Sequence, residues 1–277
     1  MRRIIPLFAA LFLACSAAAD TNSNYMVFAD FTNQWNGSVY CTNAVLTLGA
    51  PDYVTDEGMT FAGRPVGGDL LILTNAHYLV GYSDEYACPL WVAYKLTKAK
   101  EEWPRPEMGF LTDTRTESKV TESDYDGSGY DRGHMAPSKG MGASHGDNAQ
   151  LQTFMMSNVV PQKPDLNRKV WRRLEEKALE WADEKEELWV VTGPVFVPSV
   201  TNLFNGIRVP DGCYKIFVDM EYGGLDARAF LIPQNPRNDA TLGLYLVSID
   251  EIERQTGLDF FSELPDWLED RIERGTW

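Results

Sequence analysis

The sequence predicts a mixed α+β domain built on a largely antiparallel sheet. Short segments rich in aromatic and β-branched residues recur along the chain, each close to glycine or proline. The clearest of these strand segments are residues 89–96, 188–192, 214–218 and 229–232. Few segments show helical spacing, and no internal repeat or linker divides the chain. Strands interspersed with few helices favour one α+β domain, which we place at residues 24–277.

Two helices are predicted in the second half of the chain. Apolar residues recur at helical spacing from Asn167 to about residue 186, and Asp165 is the expected N-cap of this amphipathic helix. The second helix is expected to begin near Ser248, which forms a capping-box pattern with Glu251, and to end at Gly257.

The N-terminal residues 1–19 are typical of a secretory signal peptide. Arg2 and Arg3 give the segment a basic start, and an apolar run follows at residues 4–14. Small residues then end the segment at Ala19. Cys15 offers a second interpretation, in which the leader is cut before this residue and the cysteine is lipidated. The apolar run is too short to span a bilayer, and no later segment is long enough. We expect a secreted or periplasmic protein without a membrane span, released or lipid-anchored.

Three cysteines remain after the leader: Cys41, Cys88 and Cys213. In an oxidising compartment an odd number permits at most one disulfide within the chain, and the sequence leaves its pairing open. Metal binding by these thiols is not expected, because no C-x-x-C pair or Cys/His cluster occurs.

Acid–base chemistry near neutral pH points to His134, one of three histidines. It lies in the run YDRGHMAP at residues 130–137, and in an extended strand Arg132 and His134 share one face while Asp131 points away. A neutral imidazole accepts a proton from water, and a guanidinium stabilises phosphate charge. We expect His77 to be structural and His145, in the glycine-rich segment 140–146, to be a solvated loop residue.

A second group of polar residues begins the long predicted helix. Asn167 and Glu175 are eight residues apart, so eight steps of about 100° place both toward one side of the helix. An amide oxygen and a carboxylate are hard ligands suited to hydrated Mg²⁺.

These stretches together resemble the DNA/RNA non-specific endonucleases of the ββα-metal, or His-Me finger, fold. The matching positions run from Pro89 to Phe261 and centre on residues 124–137, 153–162 and 166–175. The resemblance implies a ββα-metal domain with an antiparallel sheet flanked by helices. It also implies a metal-dependent endonuclease that cuts DNA and RNA with little sequence preference, using Mg²⁺ or Mn²⁺ and leaving 5′-phosphate and 3′-hydroxyl ends.

The same resemblance assigns a role to each matching residue. His134 is the expected general base, and Asn167 the direct protein ligand of the metal. Glu175 is expected to orient metal-bound water. Arg132 and Asn158 are expected to support the phosphate and the site. The transition-state arginine is expected to be Arg105, with Arg115 as its competitor.

The net charge of −15 opposes binding to nucleic acid, and removal of Arg2 and Arg3 with the leader would lower it to about −17. Phosphates therefore require a locally basic groove. One basic segment could supply it, through Lys163, Arg168, Lys169, Arg172 and Arg173. A solvated helix face is the alternative interpretation.

Two other functions are compatible with the motif. One is a phosphodiesterase acting on small phosphate esters with the same histidine and metal. The other is a nuclease-like domain that binds nucleic acid without cutting it. The presence of Arg132, His134, Asn167 and Glu175 together favours the nuclease.

Overall fold

The computed structural model describes residues 54–275, with gaps at 100–102, 198–200, 204–205, 222–223 and 238, and four short strands between residues 27 and 46. The chain divides into two compact units, Met1–Gly49 and Ala50–Trp277. In the first unit, β1 (Val27–Asp30) pairs with β4 (Asn43–Leu46), and β2 (Gln34–Trp35) with β3 (Ser38–Val39), both antiparallel. The predicted leader, including Cys15, and Cys41 lie outside the described residues.

The second unit is built around a seven-stranded antiparallel sheet of order β17-β16-β15-β12-β9-β8-β7. Its strands are β7 (Leu71–Thr74), β8 (Tyr78–Ser83), β9 (Cys88–Thr97), β12 (Glu187–Val195), β15 (Gly212–Glu221), β16 (Gly224–Pro233) and β17 (Leu246–Val247). The smaller strands are β5 (Val54–Thr55), β6 (Thr60–Phe61), β10 (Asp131–His134), β11 (Val159–Gln162), β13 (Thr201–Asn202) and β14 (Arg208–Val209). All four predicted strand segments lie in this sheet, which confirms them and the α+β class.

Within the described residues, five helices flank the sheet: α1 (Ser138–His145), α2 (Asp147–Gln152), α3 (Arg172–Lys185), α4 (Ile249–Thr256) and α5 (Asp266–Glu273). On one face Val190 of β12 joins a core that includes Leu174 and Ala178 of α3. On the other face the Trp189 ring lies 5.4 Å from that of Phe61. Because both faces are covered, the central strands are nearly continuous apolar runs rather than alternating ones.

A ββα unit stands beside this sheet. β10 pairs antiparallel with β11, with Asp131 opposite Gln162 and His134 opposite Val159. A π-helical turn, Leu166–Trp171, follows β11 and leads into α3. This arrangement confirms the ββα expectation and places the ends of β10 and of the helix side by side.

The two helix predictions had different outcomes. α4 is confirmed, because Ser248 Oγ accepts a hydrogen bond from the Glu251 amide at 3.2 Å and Gly257 adopts a left-handed φ of 70°. Asp165 as an N-cap is wrong, since it has helical dihedrals and its side chain makes no capping hydrogen bond. The Asn167 amide already donates to the Lys163 carbonyl at 2.9 Å, so the helical turn starts earlier than predicted.

The glycine-rich segment predicted as a loop is instead helix α1. A Cβ on Gly142 would collide with Trp103, so this glycine permits close packing rather than a turn. His145 ends the helix, stacks on the His77 ring at 4.3 Å, and has Nε2 2.7 Å from the Lys95 carbonyl oxygen. The prediction of a solvated His145 was therefore wrong.

Both described cysteines, Cys88 and Cys213, are buried and free, so they do not form a disulfide with each other. Among the described residues, no helix is both long and apolar enough to cross a membrane.

Candidate active site

A cleft of about 340 Å³ opens where β10, α1, the π-helical turn and α3 meet. Its lining residues are Arg105, Arg132, His134, Pro137, Ser138, Lys139, Gly140, Asn167, Arg168, Arg172, Glu175, Glu176 and Leu179. Five of the six predicted site residues are among them. Asn158 is the exception.

The cleft is basic although the chain is acidic. Its wall carries five cationic side chains against two carboxylates, Glu175 and Glu176, whereas the whole chain has a net charge of −15. The cations are Arg105, Arg132, Lys139, Arg168 and Arg172. A polyanion therefore meets local attraction at this site despite long-range repulsion.

The basic segment predicted from the sequence divides between two surfaces. Arg168 and Arg172 line the cleft, whereas Lys163, Lys169 and Arg173 do not. Lys169 pairs with Asp165 at 2.6 Å, and Arg173 donates to the Ala240 carbonyl at 3.1 Å. Only two of its five cations thus lie where a phosphate in the cleft would meet them.

His134 is held at the end of β10 by aromatic neighbours. Its ring lies 4.9 Å from that of Phe110 and 5.2 Å from that of Phe154, and its carbonyl accepts from Trp171 Nε1 at 3.3 Å. The buried Nε2 atom has no hydrogen-bond partner among the described residues. A buried polar atom without a partner is costly, so it marks a position that a water or substrate atom would complete.

Burial, together with the positive charge of Arg105, lowers the pKa of His134 to about 3. Desolvation disfavours the charged imidazolium, and a neighbouring cation disfavours it further. The imidazole is therefore neutral at physiological pH and can accept a proton.

Asn167 is oriented by Asp131, which the strand pattern predicted to point away from the site. Its Nδ2 donates to Asp131 Oδ2 at 3.0 Å, and Arg168 Nε donates to the same oxygen at 2.7 Å. Although burial raises the pKa of Asp131, these two donors bring it below its ordinary value, so the residue is a carboxylate. Because the amide NH₂ is held by Asp131, the amide oxygen of Asn167 remains available for a ligand.

Glu175 faces a buried lysine. Lys215 of β15 is fully buried, and its Nζ lies 3.9 Å from Glu175 Oε1, 3.2 Å from the Tyr94 hydroxyl and 4.5 Å from the centre of the Trp171 ring. Burial raises the pKa of Glu175 and lowers that of Lys215, and the opposite charge of each partner offsets these shifts only in part. Glu175 Oε1 is buried and has no hydrogen-bond partner in the described part of the chain.

Arg132 is fixed by its neighbours. Its Nη2 donates to the Glu122 carbonyl and to Asp126 Oδ1, both at 2.8 Å, and the guanidinium lies 5.8 Å from the centre of the Tyr125 ring. It lines the cleft with about a quarter of its side chain exposed. Such a guanidinium has donors left for a phosphate.

The two candidate transition-state arginines lie in different places. Arg105 lines the cleft with His134, and its guanidinium stacks 5.2 Å from the Phe154 ring centre. Arg115 lines a separate pocket, where it forms an ion pair with Asp113 at 2.6 Å. The geometry thus favours Arg105 over Arg115.

Asn158 has a structural position. It is fully buried, accepts from the Ala136 amide at 2.9 Å, and donates to the carbonyls of Ala136 and Thr153 at 3.0 and 2.9 Å. Its side chain therefore ties the segment that follows His134 to the turn before β11. It supports the site through the backbone and does not reach a phosphate in the cleft.

Three residues at or behind the cleft had no assigned role in the sequence analysis: Asp131, Lys139 and Lys215. Asp131 was expected to point away from the site, yet its side chain reaches the adjacent helix. Lys215 had one usable signal, because a charged residue inside an apolar strand requires a buried partner. For Lys139 the sequence offered no such signal apart from its position just after the histidine motif at residues 130–137.

Known proteins match this chain over most of its length. The family profile of the DNA/RNA non-specific endonucleases matches residues 58–267. The chain belongs to this family. It is 33% identical to a nuclease from a Nostoc species, over 82% of this chain and 84% of the relative. It is 31% identical to human mitochondrial endonuclease G, over 66% of this chain and 67% of the relative.

A solved structure agrees with the fold. The chain superposes on the crystal structure of the EndoG/EndoGI complex with a TM-score of 0.68 and 26% identity, covering 74% of this chain and 90% of that chain. The ββα-metal class is thereby confirmed. This protein is a nucleic-acid-hydrolysing enzyme.

Proposed function

We propose that the enzyme is a metal-dependent endonuclease that hydrolyses both DNA and RNA with little sequence preference, and that His134 is its general base. The observation that carries this proposal is a neutral imidazole whose Nε2 has no hydrogen-bond partner among the described residues, in a basic cleft. Backbone phosphates are the part of a nucleic acid that a cationic cleft binds, and they carry no sequence information directly.

Two oxygen donors in the cleft fit a divalent cation. Asn167 offers its amide oxygen because Asp131 holds the NH₂ group, and Glu175 offers a buried carboxylate oxygen that has no hydrogen-bond partner within the described chain. Such hard donors suit Mg²⁺ or Mn²⁺, with Asn167 as the direct ligand and Glu175 as an acceptor for metal-coordinated water. A bound cation would supply positive charge that stabilises the phosphate in the transition state.

The other side chains of the cleft have two roles: proton transfer and stabilisation of charge on the phosphate. His134 Nε2 accepts the proton of the attacking water, while Arg105 and Arg132 stabilise charge on the phosphate oxygens. A bound phosphate also raises the pKa of His134, because a nearby anion favours the imidazolium. The base therefore strengthens when substrate is present. The family resemblance implies 5′-phosphate and 3′-hydroxyl products.

We further propose that the enzyme acts outside the cytoplasm, secreted or periplasmic, after loss of residues 1–19. The N-terminal charge and hydropathy pattern supports this location. Intact-mass measurement of the exported protein should give Asp20 as the first residue. A diacylglyceryl mass on Cys15 would place the enzyme on a membrane surface instead.

The test of the mechanism separates the base from the metal ligand. His134→Ala should keep metal binding and lose on the order of 10²–10⁴ in turnover, the usual contribution of a positioned general base. Asn167→Ala should weaken metal binding, so that part of its activity returns at high Mg²⁺ or Mn²⁺. The measurement is cleavage of plasmid DNA and of long RNA against metal concentration, with metal affinity from calorimetry.

Three results would contradict the proposal: cleavage by the wild type in excess EDTA, full activity of His134→Ala, or recovery of His134→Ala by added metal. Turnover of a nitrophenyl phosphodiester without cleavage of polymers would favour the small-ester phosphodiesterase. Asn158→Ala is unsuitable as a control because Asn158 holds backbone groups. Lys169→Ala is suitable, since Lys169 lies outside the cleft in an exposed ion pair.

A further inference from the structure

Three carboxylates from two helices converge away from the active-site cleft. Asp250 and Glu253 lie three residues apart on α4, so they occupy one face, and Glu273 is the last residue of α5. One carboxylate oxygen from each lies within 4.8 Å of the others. None of the three lines the cleft.

Glu273 gives this cluster a feature that exposed acidic groups lack. It is 7% exposed, and its Oε1 atom is buried with no hydrogen-bond partner in the described part of the chain. A buried carboxylate close to two other carboxylates is very unfavourable unless a cation or a proton compensates for it.

Two arginines close to these residues in the chain pair with other carboxylates. Arg254 of α4 pairs with Glu251, and Arg274 pairs with Asp270 at 2.8 Å. Glu253 Oε1 accepts from the Phe260 amide at 2.8 Å, which fixes this carboxylate in place but adds no positive charge. Within the described residues, no lysine or arginine pairs with any of the three.

Further acidic residues make the local potential more negative. Burial, together with the charges of Glu253, Glu269, Asp250 and Asp259, raises the pKa of Glu273 to about 8. The cluster therefore favours a cation at this position.

We propose that Asp250, Glu253 and Glu273 bind a divalent cation of the calcium type, which links α4 to α5 and is distinct from the catalytic metal. Two oxygens bound on opposite sides of one Ca²⁺ are about 4.6–5.2 Å apart, so oxygens within 4.8 Å of one another can share an ion. Ca²⁺ also tolerates irregular geometry and completes its shell with water, whereas Mg²⁺ demands near-ideal octahedral coordination. The bound ion neutralises the buried carboxylate and fastens the C-terminal helix to the domain.

Calcium binding tests this site, measured by equilibrium dialysis and calorimetry on the full-length protein. Asn167→Ala serves as the parent, so that the proposed catalytic ligand does not contribute. The parent should bind one Ca²⁺ per chain, and its melting temperature should rise with CaCl₂. Adding Glu273→Gln should weaken binding by at least about tenfold, or 1.4 kcal/mol, and abolish the thermal shift.

Glu269→Gln is the matched control, because it removes a charge from α5 without removing a proposed ligand. It should keep one site and the thermal shift. Asp250→Asn provides a second ligand variant in case Glu273→Gln fails to fold, and it should also lose affinity. The proposal is overturned if the parent binds no stoichiometric Ca²⁺, or if the folded ligand variants bind as tightly as Glu269→Gln.

Discussion

Replacing Lys215 with methionine should destabilise the folded enzyme in a pH-dependent way, because it leaves Glu175 buried without its counter-ion. Unit charges 3.9 Å apart interact by about 4 kcal/mol at an effective dielectric constant of about 20. Glu175 can limit the loss by taking up a proton. From an ordinary glutamate pKa of about 4.3 this uptake costs about 3.7 kcal/mol at pH 7. We therefore expect Lys215→Met to lower the free energy of unfolding by about 1–3 kcal/mol at pH 7, where 3 kcal/mol is the limit for a wild-type Glu175 that is fully ionised.

The sign of the pH dependence follows from proton binding. Burial already raises the folded-state pKa of Glu175 above its unfolded value in the wild type, and loss of the Lys215 charge in Lys215→Met raises it further, so the folded variant binds the extra proton more strongly. The stabilisation that proton binding to Glu175 gives the folded variant is therefore fully present below the unfolded pKa of about 4.3. It declines as the pH rises toward the folded-state pKa. The difference from the wild type should shrink to at most about 1 kcal/mol at pH 5.

Urea unfolding in EDTA at pH 5 and pH 7 measures both values. Lys95→Met is the matched control, because Lys95 pairs with a half-exposed Glu187 at 2.6 Å and such surface pairs contribute at most about 1 kcal/mol. The double variant Lys215→Met/Glu175→Gln should recover most of the loss, since it carries no buried charge. A loss below about 1 kcal/mol at pH 7, or an equal loss at both pH values, would refute this reasoning.

Two further predictions concern the cleft. Arg172→Glu should raise KM for DNA more than it lowers kcat and should flatten the salt dependence of binding, because Arg172 lines the cleft. Lys169→Glu, three positions earlier in the chain, should change KM much less, because Lys169 lies outside the cleft in an exposed ion pair. Equal effects of the two substitutions in steady-state assays at several salt concentrations would contradict this prediction. In NMR spectra of the substrate-free enzyme, the ring signals of His134 should not shift between pH 7.5 and 5, because burial and the charge of Arg105 lower its pKa to about 3. A titration midpoint near 6.5, the ordinary histidine value, would contradict a base that the fold keeps neutral.

The elements with strong local signals were predictable from the sequence. Helix α4 is specified by Ser248, Glu251 and Gly257, whose capping and left-handed conformations act within one turn. The central strands are specified by apolar runs, because burial on both faces requires them. The glycine-rich composition of α1 was misleading, because it predicted a loop. Gly142 instead allows close packing against Trp103 within a helix.

The candidate site was predictable only in part, and mainly from the ordered motif. The sequence identified His134, Asn167 and Glu175 and left Arg105 against Arg115 open. The structure separates those arginines because only Arg105 reaches the cleft. It also divides the basic segment, since neighbouring helix positions such as Arg172 and Arg173 face different surroundings.

By itself the sequence determined what acts over a few residues: the strands of the sheet, the capped helix α4 and the candidate-site motif. Tertiary structure decided which distant charges meet. Lys215 is 40 residues from Glu175, and Glu273 is 20 residues from Glu253, yet each pair lies in one buried environment. Spacing along the chain carries no information about such pairs, because their energies depend on distance and burial in space.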